Sequence, residues 1–469
     1  MHTNIYTRGL YNCIDSYNTQ LVATELYKLL SENKKLFKFY QFQQNELMPC
    51  LVEMMERGVK IDLGRKEKLK EELKELSEKA KATLQWLVDD DTFNPKSSVQ
   101  IKKLFKELLG VKPVIAKSGS ETFGYDAMLE YNEKYPMYST LITLLLEYRS
   151  INIFLSNFLE MELDSDDRMR CDYKIAATKT YRLGSTKNVF GKGGNLQTIP
   201  EKGKLDLKYV LEDSTEYLYT ELNSSLTKLP NCKKIFIPDP GYTFFDIDYS
   251  GADAMVVAAD SGCEWLLNFF ATTEQKLYCF IGEYVLQREM TPKDPMYKKF
   301  KQFIHLTNYG GAKKKAAVSA QLPLNLADAG QKYYFKLCPE IPEWHKRIKS
   351  EIFTRGYIEN VFGARGYQLD KNNPTILNQA YAWIPQSTIG ILVNKGIVNI
   401  SKGALMGKNN ETIQTLLQTH DSASGQFPTK DLDAPRRIKE YMAIPLDYPN
   451  PITIPAGLKT SVVSYGDCE

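Results

Sequence analysis

Phe244, Phe245, Asp246, Ile247, Asp248, Tyr249 and Ser250 form a short run of rings and a β-branched residue that closes on acids. Its composition predicts a strand, and an apolar strand ending in a carboxylate would bury a charge unless a cation or a donor met it. Asp248 is therefore a candidate metal ligand. A second acid of this kind, Asp421, follows Leu416, Leu417, Gln418, Thr419 and His420 and precedes Ser422, Ala423, Ser424 and Gly425, a strand entering a tight turn. Two strand-end acids far apart in sequence can meet in one sheet and bridge two Mg²⁺ ions about 3.5 to 4 Å apart. Either Asp taken singly is better explained as a cap or turn residue.

Outward from these two points the texture alternates. Apolar runs at Ile235 to Pro238, Tyr242 to Ile247, Leu416 to Gln426 and Pro451 to Pro455 read as strands, and residues 253 to 355 between them read as mainly helical. Strands on both sides of a helical insertion predict one sheet interrupted by helices, an α+β arrangement. Upstream, Asp62 is placed to cap a helix over 62 to 88, with Leu69, Leu73, Leu76, Ala80, Leu84 and Leu87 on one stripe. Residues 88 to 125 read as loop, and helical spacing returns near Leu141 to Met161.

Composition sets broad limits. With 469 residues, 43% apolar and 25% charged, the chain should fold as two to four domains. Neither a long apolar run nor a signal-like start is present, so a cytoplasmic setting without membrane insertion is expected. The eight cysteines include no Cys-x-x-Cys pair and only four histidines accompany them, which argues for reduced thiols over a zinc site. A net charge of +3 does not by itself announce nucleic acid, although Lys298, Lys299, Lys301 and Lys313 to Lys315 could line a basic surface.

The segment from Pro295 carries more information. In a helix, Tyr297, Lys301, His305 and Tyr309 recur every four residues and share a slowly drifting face. A cation followed by two rings would suit a nucleoside triphosphate: Lys301 at the phosphates, His305 along the sugar or base, and Tyr309 with Gly310 and Gly311 giving a templating pair close approach. The same three rings would equally serve to pack on a neighbouring helix.

In order and type, these segments resemble the three catalytic motifs of family A, DNA polymerase I type, DNA polymerases. Asp248-Tyr249-Ser250 with Asp253 resembles motif A; Lys301, Phe303, Ile304, His305, Tyr309 and Gly310 are similar to the nucleotide-binding helix of motif B; His420-Asp421 resembles motif C. The similarity extends through Thr178 to Ser185 and Asn195 to Pro200, which look like the primer-template segment, and through Lys233 to Asp239 with Gly241 before motif A. Glu56 to Asp62 and Glu147 to Arg149 look like the two ends of a thumb, and Pro385, Gln386 and Ser387 like a helix at the primer-template minor groove.

The resemblance implies a right-hand fold with an antiparallel-sheet palm and helical fingers and thumb. Its parts would be an exonuclease-domain remnant or N-terminal helix at 1–39, thumb at 40–165, palm at 166–260 and 373–469, and fingers at 261–372. Asp248 and Asp421 would be catalytic and, with Tyr249, would hold two Mg²⁺ ions, Mn²⁺ being a substitute. Lys301, His305, Tyr309, Asp253 and Tyr297 would bind the nucleotide; Arg182, Gln386, His420, Asn195 and Gln197 would face primer-template DNA. The implied activity is template-directed addition of dNTPs to a primer 3′-hydroxyl in DNA replication. A bacteriophage-like monomer is expected, with room for a separate exonuclease or processivity factor.

Several positions depart from the family pattern. Tyr297 stands where motif B carries Arg, His305 where it carries Phe or Tyr, Asp253 where motif A carries Glu, and Ser422 where an acid commonly follows the motif C Asp. Ser422 and Thr307 are reminiscent of single-subunit RNA polymerases, which makes such an enzyme the alternative; a non-catalytic homologue that binds primed DNA is the other. Tyr11, Asn12, Cys13, Ile14 and Asp15 look like the last proofreading motif without its upstream partners, so a chain lacking 3′-to-5′ exonuclease activity is expected.

Overall fold

The structure is a computed structural model that describes residues 5–115, 119–175, 177–199, 231–368, 370, 373, 375–405, 412–419 and 421–468. At its centre lies a four-stranded antiparallel sheet, in the order Gln414–Thr419, Ser422–Pro428, Tyr242–Tyr249, Ala456–Ser461. The strand predicted around Phe244 is an inner strand, and the two acids' neighbourhoods pair directly, with Ser422 opposite Asp248 and Gly425 opposite Phe245.

Alternation along the inner strand assigns its residues to two faces. Thr243, Phe245, Ile247 and Tyr249 point one way, where the Tyr249 hydroxyl donates to the carbonyl of Met442 in the helix Ala434–Met442 at 2.7 Å. Phe244, Asp246 and Asp248 point the other way. Phe244 stacks on Tyr465 with centroids 5.1 Å apart, Asp246 accepts from the Ser424 hydroxyl at 2.7 Å, and Asp248 opens to solvent at the strand end. One strand thus delivers three different chemistries by position alone.

Helices fill residues 252–355, as the insertion pattern predicts, beginning with Ala252–Ser261 directly after the inner strand. Gly251, at φ +67°, makes the turn between them in a left-handed conformation that suits glycine. The helix Pro295–Asn308 starts at Asp294, whose carboxylate accepts from the Met296 amide at 2.8 Å, and buries Phe300, Phe303, Ile304 and Thr307.

Asp62 caps the helix Leu63–Leu87 by accepting from the Arg65 amide at 3.0 Å, and Leu69, Leu73, Ala80 and Leu84 are buried as the stripe predicts. This helix joins two cores. Its first half packs into the main one, while Ala80 and Leu84 join a second that also holds Phe105, Met128, Tyr131 and Leu141 to Tyr148. The expectation of loop over 88 to 125 is corrected: Ser97 accepts from the Gln100 amide at 3.3 Å and starts the helix Ser98–Lys103, whose Ile101 enters the second core with Leu104 and Phe105. A single capped turn and a half is too short for apolar periodicity to stand out.

Candidate active site

Asp248 occupies the penultimate position of the inner strand, and Asp421 the turn immediately before the strand that pairs with it. The two carboxylates predicted to converge are brought together. Surrounding protein strips part of the water from Asp248, and the like charges of Asp421 and then Asp246 add to this; together they push its carboxyl up to about 6, against the pull of Lys301 and Lys233. A residual concentration of negative charge is what a hard cation requires.

The described residues contain no cluster of three or more His, Cys, Asp or Glu arranged as a metal site. Two carboxylates supply only part of an octahedral shell. Their oxygen chemistry fits Mg²⁺, whose remaining positions water, a backbone carbonyl and substrate phosphate oxygens would fill. Tyr249, the third proposed ligand, has its ring buried and its hydroxyl anchored, which leaves only main-chain oxygen for such a role.

Arg182 lies against the acids, its Nη2 3.0 Å from Asp421 Oδ1. Its placement follows from packing behind it: Trp383 of the long helix Ile376–Leu405 donates to the Lys179 carbonyl at 2.6 Å, and the neighbouring Tyr181 hydroxyl donates to the Arg365 carbonyl at 2.9 Å. Asn195 is exposed and caps its own turn, accepting from the Ser185 hydroxyl at 2.5 Å and the Gln197 amide at 3.1 Å. Gln197 is buried and donates to the Gln418 side chain at 2.6 Å, so it supports the strand that leads to Asp421 from behind. His420 lies outside the described residues.

Across the cleft, Lys301 is exposed, and its charge is felt at both Asp248 and His305. His305 is half-buried; burial lowers its pKa, Asp253 and Asp421 pulling it up and Lys301 pushing it further down. Tyr309 donates to Asp253 Oδ1 at 2.5 Å and meets the Gln386 side chain, which ties the helix of Lys301 to the first turn after Asp248 and to the long helix. Burial, and then the Asp253 charge, hold the Tyr309 phenol far above its ordinary range, so it remains a donor.

The sequence left open whether the rings of this helix face a ligand or a neighbouring helix. Tyr297 and His305 do pack on one: Tyr278, from the helix Leu277–Leu286, sets its ring 5.8 Å from Tyr297 and 5.6 Å from His305. Tyr278 gives no signal in sequence, because it sits among the mainly apolar residues of the Leu277–Leu286 segment, where Glu283 is the one charged side chain. Gly310 has a packing role as well. A side chain there would meet the Tyr381 ring at 2.6 Å, so the glycine, at φ +69°, serves the approach of the long helix. Asn378 of that helix donates to the Tyr309 and Gly310 carbonyls at 2.7 and 2.9 Å.

Residues 64–461 match the family model of DNA polymerase family A. The chain is 24% identical over 449 residues to the thermostable DNA polymerase I of Thermus filiformis, covering 92% of this chain and 49% of that protein. It is 25% identical over 429 residues to DNA polymerase I of Helicobacter pylori, covering 89% and 42%. The chain therefore spans about half the length of the curated relatives it matches. Among solved structures, the polymerase domain of Pol1 from M. smegmatis, in complex with DNA primer-template and dNTP, superimposes with a TM-score of 0.72 at 20% identity over 91% of this chain and 70% of that one. This likeness gives the fold, an α+β right-hand polymerase architecture.

Proposed function

The chain belongs to DNA polymerase family A, and on that premise we propose that it carries out template-directed DNA synthesis, adding dNTPs to a primer 3′-hydroxyl. The observation that carries this reading is the meeting of Asp248, near the end of the inner strand, with Asp421, in the turn before the strand paired to it, with Lys301 in electrostatic reach. In this reading thumb, palm and fingers occupy residues 40–165, 166–260 with 373–469, and 261–372.

Asp248 and Asp421, with the Tyr249 main chain, would hold two Mg²⁺ ions, and Mn²⁺ could replace them. When bound, these ions lower the pKa of the primer hydroxyl and neutralise charge on the phosphoryl group in transfer. Lys301 orients the triphosphate, and His305 and Tyr309 line the sugar and base. Asp253, held by Tyr309, closes the pocket where a ribose 2′-hydroxyl would lie. Arg182 and Gln386 face the primer-template minor groove, whose acceptors are shared by all base pairs and so report pairing without sequence. Asn195 joins that surface, and Gln197 shapes it through Gln418.

The RNA-polymerase alternative rests on Ser422 and on Thr307, which is fully buried in its helix. Primer extension with dNTPs and Mg²⁺ tests the proposal: Asp248→Ala or Asp421→Ala should abolish extension while primed DNA still binds. Full extension by either variant would refute the assignment. Primer-independent synthesis from rNTPs by the unmodified protein would transfer the reading to the RNA-polymerase class.

A further inference from the structure

Tyr278 is an aromatic residue of the Leu277–Leu286 helix, only 6% exposed, and nothing about a structural ring requires a hydroxyl. Yet its oxygen lies 3.0 Å from Nε2 of His305, an imidazole within electrostatic reach of Asp253, Lys301 and Asp421. A buried phenol must place its proton, and among the described residues this ring nitrogen lies within reach, an acceptor in the tautomer that leaves Nε2 bare. The Tyr297 ring packs edge-on against Tyr278, so the phenol has little freedom to turn away.

We propose that Tyr278 is a positioning residue for nucleotide selection, its O–H donating to His305 Nε2 so that the imidazole is fixed in orientation and carries its own proton on Nδ1. This rests on the reading of the cleft as a nucleotide site, and deepens it. The two nitrogens of a neutral imidazole have opposite roles, and whichever one accepts leaves the other as donor. With Nε2 accepting, Nδ1 presents an N–H donor on the cleft side, and its matching partner is an acceptor oxygen of a nucleoside triphosphate's phosphate or sugar. With Nε2 donating instead, Nδ1 would be a bare lone pair that repels the same oxygens. A single hydroxyl on a helix distant in sequence thereby decides whether His305 attracts or rejects the substrate.

The decisive experiment pairs kinetics with a tautomer measurement. Tyr278→Phe keeps the ring and removes the hydroxyl; KM for dNTP in single-nucleotide extension should rise about fivefold, the size of one ordinary hydrogen bond, with a smaller change in kcat. In a His305→Phe background the same substitution should change nothing, because its target is gone. An equal effect in both backgrounds would mean that the hydroxyl is merely structural and would overturn the inference. With only four histidines in the chain, ¹⁵N labelling resolves His305 by comparison with His305→Phe. The unmodified protein should show Nδ1 protonated, shifting toward Nε2 protonation in Tyr278→Phe; Nε2 protonation in the unmodified protein also overturns it. Absence of metal-dependent extension by the unmodified protein would sink the functional reading and the inference together, whereas extension unaffected by Tyr278→Phe would sink the inference alone.

Discussion

Arg182 Nη2 is 3.0 Å from Asp421 Oδ1, so one of the two proposed metal-binding carboxylates already has a cationic partner. Both side chains are partly exposed, which makes the pair modest in energy, yet any cation arriving at Asp421 must share it or displace it. Arg182→Gln should therefore tighten Mn²⁺ binding to the DNA-free protein by roughly two- to fivefold, read by electron paramagnetic resonance titration. Extension should nevertheless fall, because the same arginine is assigned to the primer-template minor groove. Unchanged or weaker Mn²⁺ binding would show that the ion pair does not compete.

Asp248 is in the opposite situation, raised to about 6 by lost hydration and by the charges of Asp421 and Asp246. Like charges that await a cation strain the metal-free protein. Asp248→Asn should raise its melting temperature in chelator while reducing extension on the order of a thousandfold or more. Asp421→Asn should lose extension equally without the gain in stability, since it also gives up Arg182. Equal thermal shifts in the two variants would contradict this account.

What could be read from sequence follows physical periodicity. Phe244 to Tyr249 was legible because a short apolar run of rings and a β-branched residue is enough to mark a strand, and Lys301, His305 and Tyr309 because fourfold spacing marks a helix face. Their convergence could be expected only through family resemblance, since strand pairing across more than 170 residues leaves no local trace; Ser424 and Asp246, on the paired strands, are 178 apart. The helix Ile376–Leu405 has apolar residues around its whole circumference, as a helix buried on most sides does, so it offers no stripe. The Tyr278–His305 and Gln197–Gln418 contacts left no sequence signal for one shared reason: whether a polar group meets the cleft or another side chain depends on packing, and composition does not contain it.

Tyr309 joins Asp253 to the helix that carries Lys301, and this contact offers a test of sugar selection. The shorter acid, where the family pattern has Glu, is already engaged by the phenol and so fixed at the pocket wall. Asp253→Ala should increase the ratio of ribonucleotide to deoxynucleotide incorporation by about ten- to a hundredfold, and Tyr309→Phe should raise it less, because the carboxylate remains but is no longer held. Competitive single-nucleotide extension with matched rNTP and dNTP measures both, and a ratio unchanged in Asp253→Ala would remove this residue from sugar discrimination.

Glu147 provides a pH test far from the catalytic cleft. It is 4% exposed within the second core, its Oε1 has no hydrogen-bond partner there, and burial pushes its carboxyl up from 4.5 to about 7. The folded protein thus holds this proton more tightly than the unfolded chain does, so stability declines as pH rises from about 4.5, and the decline is complete once the folded carboxyl ionises above about 7. The total is about 3 kcal/mol, expressed locally because this core is distinct from the main one. Glu147→Met removes the charge while retaining an unbranched chain among Leu144, Leu145 and Tyr148, and should flatten that slope. Amide hydrogen exchange of the second core, at residues such as Leu84, Leu144 and Leu145, in graded urea reads the difference at acidic and alkaline pH. At alkaline pH the variant should be the more stable protein, and near pH 4.5 the advantage should vanish; a gap between the two proteins that stays constant across this range would place the titration elsewhere.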